Sequence, residues 1–446
     1  MDRLLSYIVR IVVWLSRYAK PLSHLRLYPY EEYTEGQPLK ILLVGYNGAR
    51  NTGADARVVA LTQQLEQALG ADNIQLTVMT LDTENVKGYF SQQVRLLHFT
   101  TMFLFSLLKA CSTHHAALLC EGSTLSPTFA DVLCVFYCEA AGIMSRQGKP
   151  CMAYGSEVGK LNPWLSKLSS NMCRDTYFMV RTEESLRNLQ ALGLKGHVGT
   201  DTAWTFHSDD GELWAQQQLK EAGWDGTQPL VGVAPLNPFC WPVRPSIYRW
   251  IKALFSRDFS QRYDKFYFFS DDTKRHQQLD SYLKAMTAAA NRYAKENQAF
   301  VVILGMEKLD AKICRQMERD IDVPHAIFTS DTTNVFQMTG LLRQLSMLLT
   351  SRYHASVLSM EHACPIVAVS IDARLNGVMR EIEQDKHYLH LATDENLENR
   401  IMKSLQMAEQ NKEEISNTIK HHLTNYKTKT MAMSQFYTSW LKEQFS

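Results

Sequence analysis

The chain has 446 residues, 45% of them hydrophobic and 21% charged, close to globular averages. A disordered chain, a collagen-like fibre and a long coiled coil are excluded, and the length accommodates two large α/β domains. Lys and Arg number 47 against 46 Asp and Glu, a formal charge of +1, so no overall field draws the chain to nucleic acid.

The nine cysteines are odd in number, include no Cys-x-x-Cys pair and sit mostly in apolar runs such as Ala116 to Cys120. They read as small core residues in a reducing compartment, the cytoplasm, rather than as a disulfide framework or a metal site.

Residues 1–36 stand apart as an amphipathic basic segment. Leu4, Leu5, Ile8, Ile11, Val12 and Leu15 fall on one side of a helical wheel, Arg3, Arg10 and Arg17 on the other, with Tyr7 and Trp14 flanking the arginines. Arg10 splits the apolar run, so it falls short of the ~20 residues that span a bilayer. Arg3, Arg10, Arg17, Lys20 and Arg26 against Asp2 leave +4 over residues 1–30. Such a helix suits an anionic membrane surface. Packing against the protein's own body or against a partner subunit is the alternative.

From Leu39 apolar strand-like runs alternate with helical patterns. Strands are expected at Lys40–Gly45, Ile74–Thr80, Ala117–Cys120, Cys151–Tyr154 and Tyr177–Val180, with helices at 54–69, 100–112, 130–147, 163–174 and 182–192. A polar stretch, His207–Gln228, follows, and the alternation restarts at Leu230–Ala234. Further strands are expected at Lys265–Phe269, Phe300–Leu304, Ala326–Phe328, Met347–Thr350 and Ile366–Ser370, with helices at 246–256, 273–296, 309–320, 334–343 and 355–363. The expected fold is α/β: two Rossmann-like domains, 37–206 and 229–392, facing a cleft, then a helical C-terminal segment, 393–446. Ligands of such sheets bind beyond the carboxyl ends of the strands.

Five strand-end loops carry candidate chemistry. In the first, Gly45–Asp55, glycines let backbone approach a ligand and Asn51 or Thr52 can cap the next helix. The second holds Glu121, Gly122 and Ser123. The third places Arg181 at a strand end before a helix beginning at Thr182, where Glu183 and Glu184 suit the positive end of the helix and can pair with the arginine. In the fourth, Arg352 and His354 alternate on an extended segment and so face one side. The fifth brings Asp372 and Arg374 after the neighbouring strand. Arg352, His354 and Arg374 are thus expected to converge on one anionic ligand.

With these loops in order, the chain resembles the polysaccharide pyruvyl transferase family from about Leu39 to Ile382. The matching features are Gly45-Tyr46-Asn47-Gly48 with Asn51-x-Gly53, Glu121-Gly122-Ser123, Arg181-x-Glu183-Glu184-Ser185, Arg352-x-His354-Ala355, Pro365–Val369 and Asp372-x-Arg374. The resemblance implies a glycosyltransferase-B-like fold and phosphoenolpyruvate as donor co-substrate, with no other cofactor. It also implies a glycan or lipid-linked sugar acceptor that receives pyruvate as a ketal. It assigns Arg181 and His354 as catalytic, donor-binding residues. Arg352, Arg374, Asn51, Gly53, Asp55, Glu121 and Ser123 are the expected substrate-binding set. Glycans of this kind are built on lipid carriers, so the implied location is the cytoplasm, peripheral at the inner membrane face.

The chain departs from the family pattern at Glu121, where the glycine-rich second loop starts, at Ala54, and at Arg50. Two other readings stay in view. One is a nucleotide-sugar glycosyltransferase of the same architecture, with Glu361 as the ribose-binding carboxylate. The other is a catalytically inactive binding protein held at the membrane by residues 1–30.

Overall fold

The computed structural model of the chain describes residues 2–99, 103–257, 262–264, 266–370 and 373–445. Two parallel sheets organise it. The first has seven strands, in the spatial order Arg95–His98, Ile74–Thr80, Leu39–Asn47, Ala116–Leu119, Cys151–Ser156, Tyr177–Val180, Lys195–Val198. The second has six, in the order His325–Thr329, Phe300–Gly305, Leu230–Ala234, Met347–Thr350, Ile366–Ser370, Leu389–Leu391. Helices cover both faces, which is why central strands such as Ile41–Val44 and Val301–Leu304 are continuous apolar runs with no exposed side.

Three strands of the two large sheets were not evident from the pattern: Arg95–His98, Lys195–Val198 and Leu389–Leu391. Each lies at a sheet edge and is short and half-exposed, so it carries no apolar run. The strand expected at Lys265–Phe269 does not join the second sheet. Lys265 falls outside the described residues, as do 100–102 of the helix expected at 100–112. Tyr267–Phe268 pairs instead with Arg262–Asp264 and Arg244–Pro245 in a small antiparallel sheet. The local aromatics explain this: Phe269 packs edge-on against Trp241 at 5.6 Å and Phe266 against Trp250 at 5.1 Å.

The polar stretch after His207 contains the helix Asp209–Glu221, whose Ala215 and Leu219 enter the core of the second sheet. The last helix, Lys412–Phe445, crosses back to the first sheet. Tyr426 stacks on Trp204 at 4.1 Å, and Met433, Tyr437 and Leu441 fill the first domain's core.

The N-terminal helix Asp2–Leu15 packs against the protein's own body by one face only. Val9 and Val13 pack on the helix Asp131–Arg146, where Val13 lies against Gly142. Leu4, Tyr7, Ile8, Ile11, Trp14 and Leu15 face outward and exposed. Among the described residues no helix is long and apolar enough to cross a membrane.

Candidate active site

The first loop is shaped to reach across to the second sheet. Gly48 has φ 76°, and a Cβ there would stand 2.1 Å from Thr80 Oγ1, so only glycine fits. Asn51 caps the helix Thr52–Leu69: its Oδ1 accepts from Gly53 N at 3.1 Å and Ala54 N at 3.2 Å. The same stretch pairs with the end of the strand Phe300–Gly305. Thr52 N donates to Met306 O at 2.9 Å, Lys308 N to Arg50 O at 3.2 Å, and Ser330 Oγ to Arg50 O at 2.8 Å.

His354 sits over this loop. It lies on the first turn of the helix Tyr353–Ser359, not on an extended segment, because Arg352 is already the N-cap residue. Its ring covers Gly53 so closely that a Cβ on Gly53 would fall 2.0 Å from Nδ1. Its Nε2 stands 3.6 Å from Oδ2 of Asp201, which belongs to the first half of the chain. Burial lowers the His354 pKa and the Asp201 carboxylate opposes that fall. Burial thus favours the uncharged imidazole.

Asp201 is fully buried and gathers cations around one carboxylate. Arg181 Nη1 donates to it at 2.7 Å and Arg57 Nη1 at 3.2 Å. Burial pushes the Asp201 carboxyl up, but Arg57, His354 and Arg181 together hold it well below the usual range. Arg181 also donates to Glu157 at 3.1 Å and to Gly122 O at 3.3 Å. The expected pairing of Arg181 with Glu183 and Glu184 is thus replaced by Asp201 and Glu157, which lie deeper in the fold.

Above this network lies a solvent-open cleft between the two halves. Seven expected residues line it together: Asn51, Gly53, Glu121, Ser123, Arg352, His354 and Arg374. Two others lie beneath it. Asp55 curls back from the helix to accept from Gly48 N at 3.3 Å, and burial raises its pKa to about 7. Arg181 is covered by Gly122 and by the Tyr353 ring, 5.2 Å away, and its charge is committed to Asp201. Asp372, the remaining member of the last motif, lies outside the described residues.

Arg352, His354 and Arg374 do meet at the cleft, but the two guanidinium charges are shared with carboxylates. Arg352 pairs with Asp310 and, at 3.1 Å, with Glu307. Arg374 stands 3.8 Å from Glu157 and lies over the Phe129 ring at 5.0 Å. Glu361 pairs with Lys427 at 2.8 Å. Sequence reasoning missed Asp201, Arg57, Glu157 and Glu307, and also Tyr46 and Tyr263, whose hydroxyls bridge the cleft at 2.9 Å. Asp201 follows the edge strand Lys195–Val198, which was not evident in the sequence, and caps a short helical turn, Thr202–Thr205.

Comparison with known proteins fits this arrangement. Solved structures of the same two-domain, glycosyltransferase-B-like architecture align over most of the chain. The Anabaena protein HepE in complex with UDP-glucose superposes with a TM-score of 0.54 at 9% identity, covering 91% of this chain and 99% of that one. UDP-GlcNAc 2-epimerase from Neisseria meningitidis, bound to UDP-GlcNAc, gives 0.53 at 11% identity, covering 85% and 94%. The UDP-GlcNAc 2-epimerase of Methanocaldococcus jannaschii gives 0.52 at 11%, covering 83% and 92%. No curated protein matches by sequence. The family model of the polysaccharide pyruvyl transferases matches residues 51–373, a span that runs from the helix-capping Asn51 through His354 to the helix bearing Arg374, and the chain belongs to that family.

Proposed function

We propose that the chain transfers the pyruvyl group of phosphoenolpyruvate to a sugar of a cell-surface or lipid-linked glycan, forming a ketal. The observation that carries this reading is His354, held between Asp201 and Gly53 in a cleft that also presents Arg374. In ketal formation two sugar hydroxyls add to the central carbon of the donor, its methylene carbon gains a proton, and inorganic phosphate leaves. A neutral imidazole is suited to take a hydroxyl proton and return one to the donor, and a buried carboxylate beside it stabilises the charged ring in between. Arg374 is suited to the donor carboxylate or phosphate, since a guanidinium binds either in a bidentate way. Arg181 and Arg57 act through Asp201 rather than on the donor. The first 30 residues, with their outward apolar side and +4 charge, suit attachment at an anionic inner membrane face from the cytoplasm.

The test is incubation with phosphoenolpyruvate and a panel of sugar acceptors, reading phosphate release and product mass. Phosphate released together with a product heavier by a pyruvyl ketal supports the assignment. Turnover of a nucleotide sugar instead supports the second reading, which draws on the UDP-sugars bound by two structural neighbours. Against that reading, Glu361 is engaged by Lys427. Absence of phosphoenolpyruvate binding leaves the inactive binding protein.

A further inference from the structure

We infer that the helix Ile247–Ser256 is a second membrane-contacting element, which seats the C-terminal half of the molecule on an anionic bilayer. Ser246 caps the helix, its Oγ accepting from Arg249 N at 3.1 Å. The inner face is anchored. Ala253 is buried, Trp250 packs on Phe266, and Arg249 donates to Phe269 O at 2.9 Å. The outer face is Ile247, Tyr248, Ile251, Leu254 and Phe255, all exposed, Phe255 to 88%. Their spacing of one, four, seven and eight residues from the first puts them on a single stripe. Scattered exposed apolar residues are ordinary, but a contiguous stripe marks an interaction surface.

Charge identifies what covers it. From Arg244 to Arg257 the sequence has Arg244, Arg249, Lys252 and Arg257 and no acidic residue. Arg244, Lys252 and Arg257 are exposed. An apolar stripe fringed by a single sign of charge complements acyl chains below anionic headgroups. At ten residues the helix is about 15 Å long, half of what spans the hydrocarbon core, so it lies in the interface plane.

Its position links it to the cleft. Trp241 and Tyr263, which line the cleft, flank the helix in sequence and in the small antiparallel sheet region. Docking by this face places a lipid surface within one short element of two cleft-lining side chains. The N-terminal helix supplies a separate contact, and two weak contacts on one body reinforce each other through effective concentration. The inference does not depend on the donor, so failure of the transfer assay and failure of membrane binding are independent results.

The experiment is co-sedimentation with phosphatidylcholine vesicles, with and without phosphatidylglycerol. Four proteins are compared: the full chain, the chain lacking residues 1–30, the double variant Leu254→Glu/Phe255→Glu, and the two changes combined. Both substituted side chains are exposed, and circular dichroism and melting check the fold. The full chain should bind the anionic vesicles and release at high salt. The double variant should bind about tenfold more weakly, the truncated chain should retain part of the binding, and the combination should lose it. Turnover of a short soluble acceptor should be the same in the double variant as in the full chain. Unchanged binding by the double variant, loss of all binding on truncation alone, or no binding by the full chain would each overturn the inference. So would a concentration-dependent dimer in sedimentation velocity that the double variant abolishes, since the face would then join two copies.

Discussion

Gly53 and His354 share a space that admits no further atom. With a Cβ at 2.0 Å from Nδ1, Gly53→Ala must displace the imidazole. A reacting group misplaced by about 1 Å costs on the order of 100-fold in rate, so we expect kcat to fall by about that factor while circular dichroism stays unchanged. Asp201→Asn acts on both neighbours. It takes from Arg57 its buried carboxylate and leaves Arg181 with Glu157 alone, and removing one partner of a buried ion pair costs about 3–5 kcal/mol, to be read from the urea midpoint. It also removes the carboxylate that opposes the fall of the His354 pKa. The pKa then drops further, and the acid limb of kcat/KM against pH should move to lower pH; a limb that stays in place would exclude His354 as the titrating group. The loop residues of this site were legible in the sequence because glycines and a capping asparagine at a strand end announce themselves locally. Asp201 and Arg57 were not, because 144 residues separate them and nothing near either one signals a buried ion pair.

At the scale of elements, the same distinction between local and distant information holds. Central strands declared themselves as unbroken apolar runs, whereas Arg95–His98 and Lys195–Val198 did not, since an edge strand has one neighbour and half its surface in water. The helical C-terminus was legible as a helix, but its destination was not. Tyr437, fully buried, packs edge-on with Tyr154 at 6.0 Å, far from the domain that precedes it in sequence. Truncating a large buried aromatic leaves a cavity, so Tyr437→Ala should lower stability by about 3–5 kcal/mol, measured by thermal or urea unfolding. A change near zero would mean that the helix only rests on the first domain. A pH effect belongs to this scale too. His115 Nδ1 accepts from Lys40 N at 3.0 Å at the start of the first strand, and burial lowers its pKa to about 4. A base whose folded pKa is depressed stabilises the fold above about 6.5 and loses that contribution as pH falls towards 4. His115→Gln, which can still accept the hydrogen bond, should therefore gain stability relative to the wild type as pH is lowered through that window, in paired melting curves.

For the whole molecule, the cleft is built from both halves, so a ligand in it favours the assembled chain over the unfolded one. Phosphoenolpyruvate at a hundred times its dissociation constant should add about 2.7 kcal/mol and raise the melting temperature, with Arg374→Ala blunting the rise. The two-domain plan was legible because each half repeats strand–helix alternation. The way the halves join was not, because the backbone pairing of Arg50 and Thr52 with Met306 and Lys308 involves no characteristic side chain. That pairing works like the spine of a book. The pages next to the binding are the ones held together, and His354 and Gly53 lie beside it. We expect the walls to be ordered against each other before a substrate arrives. Saturation with donor should therefore leave the radius of gyration in small-angle scattering essentially unchanged, and association should proceed without the lag of a domain that has first to swing shut.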